Sequence, residues 1–165
     1  GERVKAISSV IKDRYNLQTV NFQAPAIELA SFRAREMMED TLIRWIQRIC
    51  NTQSRFWVTL NNFCGLPPDC IYLRILDHHP FRQLTARLQV IDQYLQSSGS
   101  GPVDWPKRPF CKLADGLKPE QYERMLSEFS REEFFGSFRV YNLVLLKLEG
   151  ENGTDSIVNV FPLYP

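Results

Sequence analysis

The sequence predicts an α+β fold: an N-terminal helical segment packed with a small antiparallel sheet that includes a C-terminal β-hairpin. Three observations point there. Apolar residues recur at helical spacing through residues 25–50 and 80–96. Aromatic and β-branched runs at 55–60 and 71–76 favour strands. Two apolar stretches, 138–148 and 157–161, flank Asn152-Gly153, a dipeptide that tolerates the positive φ of a hairpin turn. The order lacks the regular alternation of βαβ units.

Residues 2–15 read as a first helix, with Val4, Ile7, Ser8 and Ile11 on one face and Asn16 as its stop. Leu17, Val20 and Phe22 follow in a loop or extended segment. Pro25 suits the first turn of the longest helix, which runs to Cys50. Its apolar stripe is Ile27, Ala34, Met38, Leu42, Trp45, Ile46 and Ile49, and Arg33, Arg44 and Arg48 lie on the other side. Gly65-Leu66-Pro67-Pro68-Asp69 is a turn, because two prolines remove donors and fix φ. A helix from Pro80 to Gln96 follows, with Asp77 as its cap. Residues 103–108 read as extended, and Lys118-Pro119-Glu120 opens a last helix to Phe129.

Residues 97–102, Ser-Ser-Gly-Ser-Gly-Pro, have little side chain to bury and read as flexible coil. They divide the chain into a mainly helical lobe with one or two strands (2–96), a joint (97–102), and a helix plus hairpin (103–165) that shares the first lobe's core. The composition of the joint suits a natural loop and an engineered linker equally.

The chain has 165 residues, 44% of them apolar and 12% aromatic, enough for a sizeable core. A net charge of +1 excludes a strong field for polyanions. The charge is unevenly spread, net +3 over residues 1–60 and −2 over 102–165. No apolar run approaches the ~20 residues of a membrane span. Four cysteines are too few for a disulfide scaffold, and no secretory signal is visible. The expectation is reduced thiols in an intracellular protein of the cytosol or nucleus.

No residue set declares a chemistry. Cys64 and Cys70 precede His78-His79, but their spacing is loose for zinc, and adjacent histidines rarely aim at one ion. A Cys64 thiolate paired with His78 or His79 lacks anything that places them together. The carboxylates of Glu36, Glu39 and Asp40, and of Glu132 and Glu133, read as solvated helix faces. Asn152-Gly153-Thr154 fits a glycosylation acceptor but is explained by its turn. The expectation is therefore no catalytic residue, no metal and no cofactor.

Phe134-Phe135-Gly136-Ser137-Phe138 is the most interaction-like feature, since aromatic anchors dominate interface energies. By elimination the sequence reads as a non-enzymatic protein–protein interaction domain, a subunit or assembly module of an intracellular complex. Phe134, Phe135 and Phe138 would be its anchors, with Arg33, Arg44 and Arg48 as rim contacts to an acidic protein partner. The second reading is an RNA- or single-stranded-DNA-binding module using the same arginines. A metal-dependent or thiol enzyme is the third.

Overall fold

A computed structural model describes the backbone of residues 2–10, 26–148 and 156–165, and the side chains of 27–147 and 156–165. Residues Glu2–Val10 form a strand, β1, and not the expected helix. β1 pairs on both sides, with β2 (Ala26–Arg35) and β7 (Asn142–Leu148). A stretch rich in β-branched residues gains two ladders there, which outweighs a short helical periodicity. The stop at Asn16 and the loop residues Leu17, Val20 and Phe22 lie outside the described residues.

The long helix expected over 25–50 is likewise divided. Residues 26–35 are β2, a turn of 3-10 helix covers Glu36–Met38, and α1 runs only from Glu39 to Thr52. In β2 the buried residues are Ile27 and Leu29, then Ala30, Phe32 and Ala34. That is period two with a break, and the break is a bulge: Ile7 of β1 faces Ala30 and Ser8 faces Glu28, leaving Leu29 extra. The helical period holds only where Leu42, Ile46 and Cys50 of α1 enter the core.

The remaining elements are β3 (Phe56–Leu66), β4 (Cys70–Ile75), α2 (His79–Ser97), β5 (Cys111–Ala114), α3 (Pro119–Phe129), β6 (Phe135–Val140), β7 and β8 (Ser156–Pro162). They depart from expectation in two places: residues 111–114 form a strand the sequence does not suggest, and the single strand expected over 138–148 is two strands with different partners. The cap position of α2 is His78, which makes no side-chain cap bond, and not the expected Asp77; Asp77, one residue earlier, accepts from the His79 N–H through Oδ1 at 3.0 Å. The first 96 residues thus supply four strands, more than a mainly helical lobe would. The C-terminal hairpin is β7 with β8, and its Asn152-Gly153 turn lies outside the described residues.

All eight strands join one antiparallel sheet in the order β6-β3-β4-β5-β2-β1-β7-β8. It consists of two four-stranded halves that meet at β5 and β2. The meeting is short: Ala26 faces Lys112 and Ile27 faces Cys111. The two central strands are built alike. In β5, Leu113 is extra between Lys112 and Ala114 where β4 pairs with it, just as Leu29 is extra in β2. Each strand therefore reads apolar, charged, apolar, apolar: Ile27-Glu28-Leu29-Ala30 and Cys111-Lys112-Leu113-Ala114.

The apolar residues of these strands face a core closed by α1 and α2, where Leu42, Ile46, Phe81, Leu84, Leu88 and Ile91 are buried. A smaller cluster of Ile71, Ala114, Met125 and Phe129 seats α3 and shares Phe63 with the larger one. The α+β class expected from the sequence is therefore the observed one. No helix among the described residues is long and apolar enough to cross a membrane.

The Ser97–Pro102 run caps α2 instead of hanging free. The Ser100 N–H donates to Leu95 C=O at 2.9 Å and the Gly99 N–H to Gln96 C=O at 3.1 Å. This double closure needs a left-handed residue, and Gly99 has φ +80°. Nothing lies within 4 Å of a Cβ built on Gly99. Gly99→Ala should therefore act through the backbone alone and cost about 1 kcal/mol. A melting experiment should show a drop of about 2–4 °C.

Candidate active site

With Ile27, Leu29, Cys111 and Leu113 turned into the core, strand alternation sends Glu28 and Lys112 to the opposite face. They line a groove of about 270 Å³ with Asp104, Pro106, Pro109 and Phe110. The groove lies on the seam where the two halves of the sheet meet. Its wall is a strap, residues 103–109, tied at several points. The Val103 N–H donates to Asp92 Oδ1 at 3.1 Å. Ser31 and Asp104 exchange backbone bonds of 3.0 and 2.8 Å.

The two charges are poised differently. Glu28 keeps exposed surface, yet the groove withdraws enough water from its carboxyl to raise it above the ordinary glutamate value. Lys112 opposes that rise, and Asp104 and Asp115 add to it. Desolvation pulls the Lys112 ammonium down, but its 2.7 Å bond to Asp115 and the charges of Asp115 and Glu28 more than offset this. The surroundings therefore favour the charged form of Lys112 and the protonated form of Glu28 more than water does.

Pro109 and Phe110 also border a second, larger pocket of about 580 Å³. Arg74, His78, Arg82, Lys107 and Arg108 line it, with Tyr72 and Phe110 among its apolar walls, and no carboxylate does. The Tyr72 and Phe110 rings are 4.6 Å apart. His78 is held below its ordinary pKa by desolvation and by the charges of Arg82 and Arg108, which outweigh a backbone bond to Ile75 and the charge of Asp77.

The residues singled out from the sequence lie elsewhere. Phe138 is a core residue at 6% exposure, while Phe135 stands out at 74%. Phe134 packs edge-on to Phe63, with centroids 5.8 Å apart, so the three do not form one patch. Arg33 is on β2, on a different element from Arg44 and Arg48 of α1. Arg44 and Arg48 line a shallow pocket with Thr41 and Trp45, and the Arg48 guanidinium lies 5.9 Å from the Trp45 ring centroid.

The helix read over 25–50 hides the outward turn of Glu28, and no strand is read over 111–114 to present Lys112. The available signal was the repeated apolar-charged-apolar-apolar pattern with opposite charges.

Cys64 contacts the Asn62 carbonyl at 3.9 Å and does not line the pocket of His78. All four thiols are free. Burial pushes Cys50 and Cys111 up to about 12, against the pull of Arg87 on Cys50. A nucleophilic thiol needs the opposite shift. At pH 8 only about 10⁻⁴ of either is thiolate. An alkylating reagent should therefore label half-buried Cys64 first and reach Cys50 and Cys111 only when the chain unfolds, as peptide mass mapping would reveal.

The fold is that of solved phosphoesterases. No family model matches the sequence, and no curated protein matches it. Among solved structures, the Thermus thermophilus protein TT0787 aligns with a TM-score of 0.68 at 12% identity, covering 97% of each chain. E. coli LigT complexed with 3′-AMP aligns at 0.65 and 13% identity, covering 99% of each. A structure described as a phosphoesterase aligns at 0.64 and 13% identity over the full length of both. This likeness overturns the expectation of a non-enzymatic interaction module. Of the aromatic residues that suggested a partner surface, Phe32, Phe81, Phe129, Phe138 and Phe161 are buried in the core.

Proposed function

We propose that the protein is a phosphodiesterase whose reaction centre is the seam between β2 and β5. Glu28 acts as general base and Lys112 as the cation that holds the phosphoryl group. One observation carries this reading: a carboxyl raised above its ordinary pKa shares the central groove of a phosphoesterase fold with a charged lysine.

A phosphodiester is an anion that repels nucleophiles, so its hydrolysis needs positive charge on the non-bridging oxygens and a base on the attacking water. Lys112 supplies the first. Glu28 takes a proton from water as the water oxygen bonds to phosphorus, and the P–O bond to the leaving group breaks. The groove opens to solvent, which protonates the departing oxygen. Esters with acidic leaving groups should therefore react fastest. LigT complexes with 3′-AMP and ATP support a nucleotide as the carrier of the phosphate. The four free thiols support a reducing, intracellular setting.

The test is release of nitrophenolate from bis(p-nitrophenyl) phosphate by the purified protein. Turnover should rise with pH through a midpoint above the ordinary glutamate range and level off. The reading fails if wild type releases no more than Glu28→Gln.

A further inference from the structure

The basic pocket beside the seam is not needed for the chemistry just described, and its composition is unusual. Arg74, Arg82, Lys107 and Arg108 share it without a lining carboxylate. Arg74 is steered by a 3.1 Å bond from its Nε to Asn61 Oδ1, which leaves its two terminal nitrogens to serve a ligand. Asp77, the acid next to the pocket in sequence, spends its Oδ1 on the His79 N–H. Cations gathered without counter-charge repel one another, and an anionic ligand relieves that repulsion. The first turn of α2 follows His78 and adds the positive end of a 19-residue helix.

Pro109 and Phe110 line both this pocket and the Glu28–Lys112 groove. The two sites therefore share one ridge, and a single ligand can lie across it. The larger volume, about 580 Å³, falls in the range of small-ligand sites. Tyr72 and Phe110 offer ring faces against which a base can rest.

We infer that this pocket is a second anionic subsite, which takes a terminal phosphate carried by the same ligand whose phosphodiester lies at Glu28 and Lys112. The ligand class is thus an end-phosphorylated oligonucleotide or dinucleotide, bound at two phosphates. The inference rests on the reading of the seam as the phosphodiester site, but binding alone tests it.

The experiment is calorimetric titration of full-length protein with the dinucleotide ApA and with pApAp, the same dinucleotide phosphorylated at both ends. Glu28→Gln is titrated alongside wild type, so that turnover cannot distort the heats. The end phosphates should tighten binding by about 10-fold to 100-fold, the worth of one or two charge-assisted hydrogen bonds. That gain should persist in Glu28→Gln, shrink as salt rises, and vanish in Arg82→Ala/Arg108→Ala. Arg82→Lys, which keeps the charge, should retain most of it and shows that loss in the double variant is not misfolding. Equal affinity for the two ligands overturns the subsite, as does a gain that survives in the double arginine variant or disappears in Glu28→Gln. A protein that hydrolyses no phosphodiester but shows the arginine-dependent gain keeps the subsite and loses only the reaction.

Discussion

Glu28→Gln should lower phosphodiester turnover by about 10²–10⁴-fold, the range expected when a positioned general base is removed. The amide keeps the shape of the side chain and cannot accept the proton of water. Its effect on stability has the opposite sign. Desolvation raises the folded-state pKa of Glu28, so the protonated carboxyl is the form the fold prefers. That contribution is fully present below the unfolded-state value and is lost as pH rises through the folded value. Above that folded value wild type has lost it, whereas the neutral amide never carries the charge. Glu28→Gln should therefore melt slightly higher than wild type at pH 7 and lose that advantage at pH 4. Thermal scans at the two pH values, beside the nitrophenolate assay, read both effects. A variant that is inactive and also less stable at pH 7 would point to a structural role for the carboxylate.

Phe81→Ala should have the largest effect on stability. Phe81 is 1% exposed and meets the Phe56 ring edge-on at 5.3 Å, joining the first turn of α2 to the start of β3. Truncating a buried phenylalanine costs about 3–5 kcal/mol through lost transfer energy and the cavity left behind. In a chain of this size the melting temperature should fall by about 6–20 °C. The neighbouring residue Arg82 lines the basic pocket, so the loosened helix end should also weaken pApAp binding at temperatures where the variant is still folded. Denaturant titration with an unchanged slope would assign the effect to the native core.

The sequence carried more of the fold than of the site. β3, β4, α2, α3 and the closing strands were legible because their signals are local: aromatic runs, a proline turn, an apolar stripe of five residues ending at Leu95. β1 and β2 were not. Ile27, Ala34, Met38 and Leu42 fit a helix as well as they fit a strand followed by a helix. The choice is made by the pairing of β2 with β1 along its length and with β5 at Ala26 and Ile27, partners that a local pattern does not reveal. The site vanished with that error, since Glu28 and Lys112 lie 84 positions apart and meet only when β2 and β5 do. Phe134–Phe138 misled for the same reason. β6 pairs with β3 across a long separation, which turns Phe138 inward and Phe135 outward.

The matched bulges have a consequence for how such a molecule tolerates change. One surplus leucine on each central strand adds a second buried side chain beside Ala30 or Ala114 without turning the preceding acid or base. Deleting Leu29 or Leu113 would leave Ile27-Glu28-Ala30 or Cys111-Lys112-Ala114 in plain alternation, with the charge on the same face and one buried leucine lost from the core. Loss of either codon would remove a core leucine and the local kink, but not the direction in which the charge points. The two charges thus owe their shared face to simple alternation, and the surplus leucines serve the core.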